Sequence, residues 1–198
     1  MSDSGIVNLS DYSKGRRNSI SVEHLKLLHE SRDMLATGVI RELSGQTEAM
    51  ESSLLGLADH APLAETRDYY FQALNLLTRQ GTELFQACKQ ALVRTINAEW
   101  GEIQGQQPAL AELSLMDDTD YEATLAVNKS SSRLRFNCAE ELVGLDARVG
   151  VLLGRSQLAA DENPFGPKLL CEALLEGMDK LKIEQKIQLV LLNQFDLV

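Results

Sequence analysis

From Leu63 to Gln104 the chain holds one long apolar pattern. Phe71, Leu74, Leu77, Leu84, Cys88, Ala91, Leu92, Ile96, Trp100 and Ile103 mostly recur at steps of three and four, the spacing of a helix buried along one side. At ~1.5 Å per residue, a continuous helix over this stretch is about 60 Å long. A rod of that length does not fit inside an ordinary globule. The pattern therefore predicts either a kink near Gly81 or a helix that projects as half of a long hairpin.

The flanking segments repeat the same chemistry. Ser21 stands where a hydroxyl can accept a first-turn N–H, and Val22, Leu25, Leu28, Leu35, Val39 and Leu43 then share one helical face. Gly45 offers a stop, Met50, Leu54 and Leu57 continue at helical spacing, and Pro62 marks the next break. Beyond GQQPA (105–109), Asp117, Asp118 and Thr119 are cap-type residues. Leu125, Cys138, Leu142, Leu145, Val149 and Leu152 fit a second long amphipathic helix, weakened by the polar stretch from Asn128 to Ser132. PKLLCEALLEGMDKL and EQKIQLVLLNQFDLV give two more helical segments. No stretch alternates apolar and polar residues between turn signals, so no strand is expected. The expected fold is all-α: a helical bundle of five to seven helices with a long helical hairpin, close approaches falling at small residues such as Ala87, Ala91 and Ala123.

Composition narrows the function. The formal net charge is −10. Nucleic acid is repelled by such a surface unless basic residues gather on one face, and they do not. Three widely spaced cysteines, Cys88, Cys138 and Cys171, fit buried thiols in a reducing compartment, and no C-x-x-C pair supports a metal or redox motif. The three histidines are too dispersed for zinc, and the acidic run from Asp117 to Glu122 lacks the glycine and the terminal glutamate of a calcium loop, so no metal or cofactor is expected. No apolar signal peptide and no membrane span is legible, which points to the cytoplasm. Residues 1–19 read as a disordered tail, and 20–198 as one helical domain. The chain stops at NQFDLV, inside an apolar pattern, so a fragment of a longer protein is expected.

DENPFGPKLL is the most constrained stretch. Residues preceding proline are driven out of helical geometry, so Asn163-Pro164 and Gly166-Pro167 stop one helix, while Pro167 suits the first turn of the next. Asn163, Pro164, Phe165, Gly166 and Pro167 are read as a structural corner, with Phe165 plugging a gap between helices. LSLMDDTDYEATLAVN, RLRFNCAEELVGLDARVGVLLG and ENPFGPKLLCEALLEGMDKL together resemble the proteobacterial family called domain of unknown function 1631. The likeness spans roughly Leu110 to Val198. It implies a helical architecture, a longer parent chain and a bacterial cytoplasm. Members have often carried the label thymidine phosphorylase. Such an enzyme needs a glycine-rich phosphate loop, and the only close Gly/Ser/Lys grouping here, SKGRRNS, lies in the tail.

The leading functional expectation is a non-enzymatic helical adaptor or regulatory module that binds a protein partner or a second copy, with charge steering basic partners. Tyr69, Tyr70 and Phe71 at one end of the long helix, and Trp100 near the other, are the expected contact residues. The alternative is a sensor for a nucleotide second messenger such as a cyclic dinucleotide, for which Arg94, Arg133, Arg135 and Arg155 are the candidate anion-binding residues. An enzyme ranks last, because no catalytic constellation is legible and all three cysteines fall on apolar faces.

Overall fold

Ser21 caps the first helix as its position demands, its Oγ accepting the backbone N–H of His24 at 3.1 Å. In the computed structural model, residues 20–103, 118–155, 158–159 and 162–195 are described. They form seven helices and no strand: α1 (Val22–Gly45), α2 (Thr47–Asp59), α3 (Ala64–Ile103), α4 (Asp118–Asn137), α5 (Ala139–Leu152), α6 (Pro167–Lys180) and α7 (Gln185–Phe195). The expected tail at 1–19 and the cap at Asp117 lie outside the described residues.

The 40-residue α3 runs unbroken through Gly81 and does not project. Instead α1 and α2, of 24 and 13 residues, lie end to end along it. The long hairpin therefore has one continuous arm and one jointed arm. The pairing is antiparallel: Glu51 of α2 accepts from Thr78 at 2.8 Å, while Arg32 of α1 donates to Asn97 at 2.6 Å, farther along α3. α6 and α7 cover the opposite side of α3, so its buried face is wider than one partner could fill. Ala73, Leu77, Leu84, Cys88, Ala91, Leu92, Ile96 and Trp100 are all buried.

The closest packing lies where α6 crosses α3. A Cβ added to Gly177 would sit 2.6 Å from Cys88 Cα and 3.1 Å from the carbonyl carbon of Ala87. These are backbone atoms that cannot step aside. Around this contact Cys88 Sγ reaches the Leu174 carbonyl at 3.8 Å, and Ala91 and Ala173 are buried. One turn away, Glu176 accepts two bonds from Arg94 (2.7 and 3.1 Å) and one from Thr95 (2.8 Å), fastening the two helices at the edge of the seam. The small residues expected at close approaches are therefore at Ala87 and Ala91, with Gly177 as their counterpart.

Downstream, the second long helix is two helices. Cys138 leaves helical geometry (φ −115°, ψ 32°), so α4 ends at Asn137 and α5 begins at Ala139. The polar stretch at Asn128–Ser132 is helical throughout. α4 lies on α6 and α7, whereas α5 makes smaller contacts, with α1 and α4, and adds Val149 to the cluster around Trp100.

The glycines separate two expectations. Gly177→Ala forces a backbone shift at the α3–α6 crossing and lowers unfolding free energy by about 1–3 kcal/mol, the usual cost of overpacking. Gly38, inside α1, has nothing within 4 Å of an added Cβ. Gly38→Ala accordingly raises stability by about 0.5–1 kcal/mol. Urea titration followed by fluorescence of Trp100, the single tryptophan, measures both. A silent Gly177→Ala contradicts the packing described.

Candidate protein-binding surfaces

The expected contact residues do not form one surface. Tyr69 and Tyr70 fold partly onto the main core, and the Tyr69 hydroxyl donates to Glu65 at 3.1 Å. That bond, followed by partial burial and the nearby Glu65 and Glu184 charges, raises the phenol above its usual 10.0. Phe71 beside them is exposed. Trp100 stands some thirty residues away, about 45 Å along the helix axis. It is only 4 % exposed and cannot touch a partner, which corrects the expectation for it. A second core cluster holds it with Leu28, Ile96, Val149, Leu153 and Phe165. Its ring meets the edges of His29 (5.1 Å between centroids) and Phe165 (5.9 Å), and the Arg32 guanidinium stands 5.9 Å from it.

The four arginines are also dispersed. Arg94 lies on α3 beside a cavity of about 440 Å³ lined by Gln86, Lys89, Gln90, Val93, Arg94 and Asn97, and is held by Glu176. Arg133 and Arg135 are on α4, half-buried. Arg135 lies 3.9 Å from Asp146, and Arg155 lies 3.2 Å from Glu162. Three of the four thus already face a carboxylate, which leaves little field to draw a phosphate.

Asn163 to Pro167 are all buried. Asn163 fixes the bend three ways: its Oδ1 accepts the Phe165 N–H (2.9 Å), its carbonyl accepts the Gly166 N–H (2.8 Å), and its Nδ2 donates to Asp146 of α5 (2.6 Å). Pro167 then opens α6. The segment ties α5 to α6 and inserts Phe165 under Trp100, and both polar atoms of the Asn163 side chain are used internally.

The thiols divide sharply. Burial pushes Cys88 from 9.0 up to about 12, and burial together with the Glu172 charge pushes Cys171 up to about 11. Cys138, expected on an apolar face, is exposed because the chain turns there. No group of three or more His, Cys, Asp or Glu able to hold a metal occurs among the described residues.

What no expectation anticipated is α4. Its inner face places Val127 in the main core, with Ala126 and Leu134 packed against it, and buries two serines as well, Ser130 at 1 % exposure and Ser131 beside it. Its outer face carries rings and a leucine. Tyr121, Leu125 and Phe136 fall within an arc of about 60° at 100° per residue, and all are exposed, Phe136 by 84 %. α4 thus buries an ordinary apolar stripe at Val127 and carries a second, uncovered one on its other side. Small buried serines beside Val127 suit a helix that lies close on α6 and α7. Toward α7 the outer face drops into a groove of about 340 Å³, lined by Glu122, Leu125, Ala126 and Lys129 of α4 and Lys186, Leu189 and Asn193 of α7. Lys186 and Glu122 bridge it at 2.6 Å. Lys129 meets no carboxylate among the described residues. The four-residue steps 121–125–129 were visible in the sequence, but the polar run next to them masked the stripe.

No helix of the described residues is long and apolar enough to cross a membrane. No curated protein and no solved structure matches the chain. The family model described as Protein of unknown function (DUF1631) N-terminal domain matches residues 23–198.

The thiol geometry sets a pH dependence. Cys88 and Cys171 bind their protons more tightly folded than unfolded. Their contribution is intact below pH 9 and is lost as pH climbs toward about 11 to 12. Unfolding free energy therefore falls above pH 9. A Cys88→Ala, Cys171→Ala variant flattens that slope, measured by urea midpoints across the range. In native protein at pH 8, a thiol reagent modifies Cys138 alone, and all three cysteines react in denaturant.

Proposed function

This chain belongs to the DUF1631 N-terminal domain family, and we propose that it is a non-enzymatic helical module that binds a protein partner through the outer face of α4 and the α4–α7 groove. The observation that carries this reading is the second, exposed apolar stripe of α4. An isolated exposed leucine is ordinary. Serines buried while Tyr121, Leu125 and Phe136 stay in water is an arrangement that folding alone does not favour, and an occluding partner removes the penalty. The groove, lined from two neighbouring helices, suits one helix laid between them. Leu125 and Leu189 offer the apolar floor, and Lys129 favours a carboxylate on the incoming segment. The partner is thus an amphipathic helix with leucine-type anchors and an acidic flank. The steering of basic partners by net charge, expected from composition, is opposed locally by Lys129, while Lys186 is already paired with Glu122.

An enzymatic reading has less support. Neither buried thiol is activated, and no enzyme family accompanies the match. The second-messenger reading needs arginines that converge, and Arg94, Arg135 and Arg155 each face their own acid.

The test is affinity capture with the wild-type chain, Leu125→Asp and Phe136→Asp, against Leu57→Asp on exposed α2 surface as a control. Leu125→Asp and Phe136→Asp each lower recovery of the same partner at least tenfold, while the control retains it. Each hot-spot residue is worth about 2 kcal/mol or more. A partner retained by both α4 variants refutes the reading.

A further inference from the structure

α5 carries a second outward apolar stripe that the groove does not use. Val143 and Val151 are 70 % and 67 % exposed, and Ala147, midway between them, is exposed too. The three recur at four-residue steps along one side of the helix. Between them stands Gly144, in the middle of a helix where glycine costs about 1 kcal/mol relative to alanine. Nothing in its own chain explains it: an added Cβ there meets only the guanidinium tip of Arg148, at 3.8 Å. By contrast Gly150, on the inner side, would meet the Arg155 carbonyl at 3.1 Å and has an internal reason.

The charges on α5 are arranged in order. Glu140 and Glu141 open the helix, and Arg148 lies two turns later, folded over Gly144. Neither Glu140 nor Arg148 makes an ion pair among the described residues. Asp146, the third acid of α5, is engaged inward by Arg135 and Asn163, so the outward pair of Glu140 and Arg148 is complementary to itself when the helix is reversed. We propose that α5 is a homodimer contact, two copies crossing antiparallel about a two-fold axis at Gly144. That single register sets Glu140 of each copy opposite Arg148 of the other. It brings Val143 of the two copies together beside the axis. It also puts Val151 level with the partner copy's Asn137–Cys138 turn, next to exposed Phe136. The missing side chain at Gly144 lets the two backbones approach there. Net charge −10 on each copy opposes association, so the dimer is weak and concentration-dependent.

This contact shares Phe136 with the outer face of α4 but none of the residues lining the α4–α7 groove, and the experiment keeps the two apart. Sedimentation equilibrium of the whole chain over a wide concentration range shows mass rising toward twice the monomer. Glu140→Arg and Arg148→Glu singly return it to monomer, and the double variant restores the dimer. In a Cys138→Ser background, Gly144→Cys, which the chain accommodates without a clash, forms an intermolecular disulfide under mild oxidation. Leu125→Asp, which disables the groove, leaves the mass unchanged. A chain monomeric at every concentration, a dimer indifferent to the charge reversals, or a Gly144→Cys variant that does not cross-link overturns the proposal.

Discussion

Two helices can touch this closely only if one of them gives up a side chain. At the α3–α6 crossing it is Gly177, whose missing Cβ leaves room for the backbone of Ala87 and Cys88. Everything else is arranged about that contact. It fixes the depth of α6, so that Glu176 reaches both Arg94 and Thr95 and Leu174 reaches Cys88. With α6 so placed, the Asn163–Pro167 corner has one route back to α5, and Phe165 fills the space beneath Trp100. α4 then rests on α6 and α7, which sets its serines inward and its rings outward.

That order also separates rigid from loosely held parts. α3 is covered by α1, α2, α6 and α7 over its length. α5 is held on one side by Leu142, Val149 and the Asn163–Asp146 bond, and is bare on the other. Local opening is easiest where packing is sparse, and among the helices that condition is met best by α5.

The helices themselves were legible, because three-four periodicity is written directly in Leu77, Leu84, Cys88, Leu92 and Ile96, and caps such as Ser21 act over a few residues. The jointed arm was not. Gly45 marked a stop, but nothing local says that α2 continues alongside α3 rather than turning away. Trp100 was misread because an aromatic near a helix end looks the same whether its neighbours come from α1 and the corner or from another molecule. The exposed stripe of α4 escaped for the opposite reason. Ser130 and Ser131 read as solvent-facing by type, and only the shallow space against α6 makes them the better fit. Gly177 is a partial case: Ala173 and Gly177 one turn apart signal a close approach, without saying to what.

Native-state hydrogen exchange tests the central claim, that a glycine-locked α3–α6 spine carries loosely attached display helices. The amides of α3 from Leu84 to Ile96 and of α6 from Cys171 to Met178 should exchange only through global unfolding. Those of α5 should open well below that free energy. Amides in α5 as protected as those beside Cys88, or a spine that opens locally while α5 stays closed, would contradict it.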